Sequence, residues 1–407
     1  MTAAAIPVTQ TSAQETFFKL ALACCVFVAG LETAYLLYSP LPYDIQGYMV
    51  GRDFANTWAG AKLAVSGNPA PFFGYKAYSQ LLAETFRPGF PVHVWSYPPH
   101  VLLVIWPWAF LPYTAAYVLF CLAGLIAYVF VTADGERRAS HLLLLAIAPA
   151  AIVNIWMGQN GFVVAVLLIG GVLQLDRRPV LAGIMFGLLS VKPQLGILLP
   201  IILMLTGRWR TIATAAMTAS ALVLVTTLIY GTSVWTAYWY DALPTQRQIV
   251  LNGYSGYMAL MPTAFMNAKC AGLSLAAATW IQAVVSLLTA AAVIWTFARR
   301  RDSDLSLALL AVATFTATPY AFNYDMVLLS AVIVRLMSRA HNTRLDYALM
   351  LAVWIMPFLT IPLGMAGIPL SFPTIFAFGA RLVWRMWQAE RQTALRSPLA
   401  FALPRAA

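Results

Sequence analysis

"FFKLALACCVFVAGLETAYLLY", residues 17–38, carries Lys19 near its start and Glu32 near its end, with apolar or small side chains almost everywhere between. As a helix rising 1.5 Å per residue it would reach about 33 Å, enough to cross a hydrocarbon layer about 30 Å thick. It is too long for the apolar part of a signal peptide, and no small-residue cleavage site follows, so it is read as a retained first span. The rest of the 407-residue chain has the same character: 61% hydrophobic and only 10% charged, with a mean hydropathy of +0.77. Soluble domains are less apolar, and about a quarter of their residues are charged. None of the apolar runs shows the period-two alternation of a membrane barrel. The expected fold class is therefore an all-α polytopic membrane protein, with residues 1–407 as one membrane domain.

A net charge of +11 would suggest nucleic acid in a soluble protein, but here the arginines gather in short clusters between apolar runs. They are Arg137-Arg138, Arg177-Arg178, Arg208 with Arg210, Arg299 to Arg301, Arg335 with Arg339 and Arg344, and the tail from Arg381. That is the positive-inside pattern of cytoplasmic turns, and no nucleic-acid partner is expected. Spans then fall near 17–38, 113–132, 140–156, 160–176, 179–191, 193–206, 210–230, 272–297, 303–318, 321–337, 345–361 and 364–384. This makes about twelve, with both termini inside. The segment "YPPHVLLVIWPWAFLP", 97–112, is short and interrupted by prolines, so a re-entrant or interfacial segment is expected. Cys24, Cys25 and Cys121 lie within apolar segments and Cys270 begins one, a spacing that fits neither disulfides nor zinc.

Two outer loops are long, 39–97 and 231–271. In the first, Phe54, Trp58, Ala61 and Val65 form a helical stripe that starts at Asp53 and stops at Gly67-Asn68-Pro69. A second stripe, "YKAYSQLLAETF", ends at Arg87-Pro88. Both read as amphipathic helices lying on the outer membrane surface, with membrane lipids as neighbours.

With the first span and this loop, "RDFANTWAGAKLAVSGNPAPFF", "YPPHVLLVIWPWAFLP", "MGQNGFVVAVLLIGGVL" and "LAGIMFGLLSVKPQLGILLP" make the chain resemble the polyprenol-phosphate-mannose-dependent mannosyltransferases, glycosyltransferase family 87. These belong to the C superfamily of integral-membrane glycosyltransferases. The resemblance is good over about residues 15 to 230 and holds in outline beyond. It implies the fold of that superfamily and inverting transfer of a sugar from a lipid phosphate on the outer face. It also implies a catalytic aspartate in the first outer loop, which here would be Asp53.

The chemistry can be argued without the family. A lipid phosphate departs unprotonated, so transfer to a hydroxyl needs one base and no acid, whereas glycosidases usually need a carboxylate pair. Of the fourteen acids, Asp134, Glu136, Asp176, Asp302, Asp304, Asp346 and Glu390 fall near basic turns, and Glu15 precedes the first span. Glu32, Asp44, Asp53, Glu84, Asp241 and Asp325 remain. Asp53 enters a helix near the bilayer, where a lipid head would react; the alternative is an ordinary helix N-cap.

Lys192 stands between two apolar half-segments, away from any basic turn. A membrane-level ammonium costs about 2.5–3.5 kcal/mol to insert, so it needs a partner, for which a lipid phosphate is suited; the alternative is a lysine snorkelling to the surface. Lys192→Met is accordingly expected to fold. Arg52 is a headgroup anchor or a ligand. Gln159 and Asn160 sit at an outer turn and are candidates for sugar hydroxyls; the alternative is an ordinary polar tight turn. Tyr320, Asn323 and Asp325 in "TPYAFNYDMVLL" open an outer-face span where donor or acceptor could bind, although relatives tend to have a histidine there and this sequence does not. His93 and His100 read as interfacial, and Asp241 in "YWYDAL" as part of an aromatic belt. No metal cluster and no nucleotide-binding glycine loop is visible, so neither metal nor cofactor is expected. The expected partners are a polyprenyl-phosphate sugar donor and a glycan or glycolipid acceptor, at the periplasmic face of a bacterial inner membrane. The competing class is a lipid-linked sugar flippase or another polytopic transporter. No internal repeat supports it.

Overall fold

The computed structural model describes residues 12–91, 93–135, 138–253, 255–299, 303–339 and 342–396. Arg137, Arg300 and Arg301 of the basic clusters, and the acids Glu136 and Asp302, lie outside the described residues. Within them the regular structure is helical, and the one β feature is an isolated antiparallel bridge between Tyr43 and Met49.

Among the described residues five helices are long and apolar enough to cross a membrane: Ser12–Leu37, Tyr113–Ala133, Trp209–Tyr230, Leu275–Ala298 and Arg344–Met365. A sixth crossing arises if Ala139–Ile147 and Pro149–Met157, bent by 43°, count as one. The bend falls at Pro149, whose missing N–H suits the first position of a new helix and cannot continue the old one. The other expected spans are realised differently. Gly161–Gln174, Pro179–Val191, Pro193–Leu205 and Ser303–Thr316 are shorter helices, reaching only about 20 Å each at helical rise. The expected 321–337 span is a tight turn, Asn323–Met326, running into Val327–Met337. In place of 364–384 the chain builds Ser371–Arg396. Proline spacing, invisible to a hydropathy count, divides the chain this way.

Burial sorts these helices into layers. From Leu305 to Thr316 every residue of Ser303–Thr316 is buried, as is nearly all of Val327–Met337. Helices apolar on every face belong at the centre. Trp209–Tyr230 instead buries only Thr211 and Thr226, which leaves its apolar surface for lipid. It is held against Pro179–Leu188 by close backbone approach: a Cβ on Gly183 would lie 2.7 Å from the Thr211 carbonyl oxygen, and one on Gly187 2.7 Å from that of Ala215. Glycines four apart form the small-residue seam that lets membrane helices touch.

The first long loop, 39–97, folds as a small apolar unit. Phe54–Ser66 ends at Gly67, whose φ of 82° is the left-handed stop a glycine adopts without strain. The second expected helix is Tyr75–Thr85. The expected stripe on the first helix is corrected: Val65 is 47% exposed, whereas Ala55, Ala59, Gly60, Leu63 and Ala64 are buried with Phe54 and Ala61. This helix is enclosed on several faces instead of resting on one. The covering elements are residues 99–110, wound as three short helical turns, together with Trp95, Tyr78 and Leu82. Gly60 makes room for Trp95, whose ring would lie 2.2 Å from a Cβ there. At that length the 97–112 segment cannot cross as a helix.

Candidate active site

The site is built where the 39–97 loop meets the turn after Pro149–Met157. The Asp53 N–H donates to the Met157 carbonyl at 3.0 Å. Just before it, Gly51 and Arg52 have φ of 88° and 32°, a left-handed bend that costs Arg52 energy and needs outside support. That support comes from the Arg52 guanidinium, which pairs with Asp44 at 2.9 Å and donates to Tyr35 Oη at 3.0 Å and Gln46 Oε1 at 2.9 Å. It also stacks over the Trp156 ring at 4.2 Å. Arg52 borders the site, but its charge is engaged within the protein. Gly158, at φ 61°, supports the same junction: a Cβ there would lie 2.3 Å from the Gly51 carbonyl oxygen.

Asp53 occupies the position preceding helix Phe54–Ser66, but its backbone is helical and its carboxylate makes no capping hydrogen bond. The carboxylate turns to the cavity instead. Oδ2 accepts from Gln159 Nε2 at 2.8 Å, and Oδ1 lies 3.5 Å from His93 Nε2, with the Asp53 side chain 30% exposed. The Gln159 amide is oriented by Tyr97, whose hydroxyl donates to Oε1 at 3.3 Å. Burial raises the Asp53 pKa, but the His93 hydrogen bond and charge, the Gln159 hydrogen bond and the Arg52 charge outweigh it and hold the carboxyl below its ordinary value. Burial and the charges of Asp53 and Asp325 push the Tyr97 phenol up, so it remains a hydrogen-bond donor at neutral pH.

A cavity of about 1290 Å³ opens from Asp53, bordered also by His93, Gln159, Lys192 and Tyr320, and by Gln246 and Tyr257 of the 231–271 loop. Gln246 Nε2 donates to Tyr320 Oη at 2.8 Å and Tyr257 Oη at 3.0 Å, fixing that wall. Rings and amides of this kind suit sugar faces and hydroxyls.

Lys192 reaches the cavity because Pro193 interrupts the helices around it. Its partner is Asp325: Nζ donates to Oδ1 at 2.9 Å, with the side chains 6% and 1% exposed. The Tyr324 ring lies 4.8 Å from the ammonium. Of the two readings of Lys192, the snorkelling one does not hold, since the ammonium is buried against Asp325 rather than turned outward. Asn323 is fully buried and donates to the Pro357 carbonyl at 2.9 Å. The Asn160 backbone N–H reaches Gln159 Oε1 at 3.4 Å; neither Asn160 nor Asn323 borders the cavity. His93 and Tyr97 were not singled out as site residues in the sequence. The available signal was that a chain with four histidines places one in the same outer loop as Asp53. His100 contacts Ser190 Oγ at 3.2 Å and stacks on Trp235.

Comparison with known proteins agrees with this architecture. The model of glycosyltransferase family 87 matches residues 95–321, more than half of the chain. The match includes the Gln159 turn, Lys192 and Tyr320; Asp53 and His93 precede it, and Asn323 and Asp325 follow it. It thus begins later and ends later than the resemblance seen in the sequence motifs. No curated protein and no solved structure matches the chain. On the family match and its apolar helices, the chain belongs to glycosyltransferase family 87 and is a membrane glycosyltransferase.

Proposed function

We propose that the enzyme is an inverting glycosyltransferase that moves a hexose, mannose or a close relative, from a polyprenyl-phosphate donor to a hydroxyl of a glycan or glycolipid. The reaction takes place at the periplasmic face of a bacterial inner membrane. The observation that carries this reading is the Asp53 carboxylate, which makes no capping bond at its helix start and lines a cavity that also reaches Lys192.

In this reading the acceptor oxygen forms the new bond to the anomeric carbon as the bond to the phosphate oxygen breaks. The electron pair leaves on the lipid phosphate, and the acceptor's proton passes to Asp53. A carboxylate with a lowered pKa is a weak base, which suffices because the hydroxyl grows acidic as its oxygen bonds to carbon. Departure of a stable phosphate needs no acid partner. Lys192 has three N–H donors, of which Asp325 takes one; the others are available to the donor phosphate. The arginine clusters support placing the cavity outside, because Asp53 and Lys192 lie in turns opposite to them.

The test is sugar transfer from a synthetic polyprenyl-phosphate hexose by purified wild type, Asp53→Asn and Asp53→Ala. Asparagine keeps the shape but cannot take the proton. Turnover is expected to fall by about 100-fold or more in Asp53→Asn, with donor binding retained. An active Asp53→Asn enzyme removes Asp53 as the base.

A further inference from the structure

His93 is held so tightly that its protonation can be read from geometry. Its ring is 5% exposed, stacked on Phe90 at 5.5 Å and 22° and set edge-on to Tyr48 at 5.5 Å and 73°. Nδ1 lies 2.9 Å from the Pro91 carbonyl oxygen. A carbonyl only accepts, so Nδ1 carries a hydrogen. In a neutral ring Nε2 would then present a lone pair to Asp53 Oδ1 at 3.5 Å, setting acceptor against acceptor. Nor does Asp53 turn away, because Gln159 donates to its other oxygen at 2.8 Å. The Gln159 amide cannot flip to relieve the contact, since the Tyr97 hydroxyl and the Asn160 N–H both point at its Oε1. Arg52 does not supply the missing proton: its guanidinium lies over the Tyr48 ring at 4.9 Å and pairs with Asp44, so it acts on Asp53 through its charge alone.

We propose that His93 is a positioning residue that carries hydrogens on both ring nitrogens, holding Asp53 ionised and making the pair electrically neutral toward an anionic donor. The proposal rests on the reading of Asp53 as the base. An isolated carboxylate in this cavity would repel the donor's phosphate or would take up a proton and cease to be a base. The imidazolium prevents both.

Nitrogen NMR of the enzyme labelled with ¹⁵N-histidine reads the proton directly. Among four histidines, the His93 signals are assigned by their loss in His93→Gln. The wild type at neutral pH is expected to show both His93 nitrogens protonated, and Asp53→Asn to convert His93 to the neutral form with hydrogen on Nδ1. A neutral His93 in the wild type overturns the proposal, and this readout is independent of whether Asp53 proves to be the base. In transfer assays His93→Gln, which keeps a hydrogen-bond donor without the charge, is expected to raise the donor KM about tenfold or more. It should also move the acid limb of kcat to higher pH. A donor KM and acid limb unchanged from wild type would show that the charge plays no part.

Discussion

Lys192→Met tests whether the ion pair beneath the cavity is structural, catalytic or both. Asp325 is 1% exposed and Lys192 6%, so methionine would leave a carboxylate buried without its countercharge. Among the described residues, the hydrogen bond left to that carboxylate comes from the Phe322 N–H, 3.4 Å from Oδ2. Removing one member of a buried pair typically costs about 3–5 kcal/mol, whereas removing both charges is often close to neutral. Lys192→Met is therefore expected to be strongly destabilised, which reverses the expectation drawn from insertion cost alone. Lys192→Met with Asp325→Asn should regain most of the loss. The assay is thermal unfolding in detergent, followed with a thiol-reactive dye that reports the buried Cys25 and Cys121. If Lys192→Met is as stable as wild type, or the double variant no better than the single one, the buried-pair argument fails. The double variant also isolates the second role: a folded enzyme whose donor affinity falls by about 1.5–3 kcal/mol has lost a charge-assisted phosphate contact.

Three further outcomes are expected. The Asp53 carboxyl is held below its ordinary value, so the group stays ionised from neutral pH down past about 3.9, while the stability it lends is fully present above about 3.9 and is lost as pH falls from there through the lower folded value. A pH profile of kcat with an acid limb near pH 5 or 6 assigned to Asp53 would contradict that. Gly158→Ala forces a left-handed alanine and sets a Cβ 2.3 Å from the Gly51 oxygen. Strain and overpacking together should cost about 2–5 kcal/mol, and displacement of Asp53 should slow transfer even in molecules that fold; wild-type turnover would refute the close approach. In a variant lacking native cysteines, Tyr240→Cys should react with an impermeant reagent from the periplasm and Trp209→Cys should not. The opposite result inverts the orientation.

What the sequence by itself determined follows from quantities that add along the chain. A stretch of 22 residues as apolar as 17–38 defines a span wherever it is placed, and arginines between such runs point to a side. Membrane class, helical fold and family motifs were all legible on those grounds, as were the two loop helices, because Gly67 and Arg87-Pro88 mark their ends locally. Which helix face is buried was not local: Val65 continues the stripe of Phe54 and Ala61, yet the segment at 99–110 covers a different face. The site was divided in the same way. Elimination among acids left Asp53 as one of six and the family resemblance singled it out, whereas Lys192 stood out by its isolation from any basic turn. The partners were decided only by the tertiary structure. His93 and Gln159 meet Asp53 from 40 and 106 positions away, and Asp325 meets Lys192 across 133. A charge advertises its need for a countercharge in the sequence, but the identity of that countercharge depends on which backbones glycines such as Gly158 allow to touch.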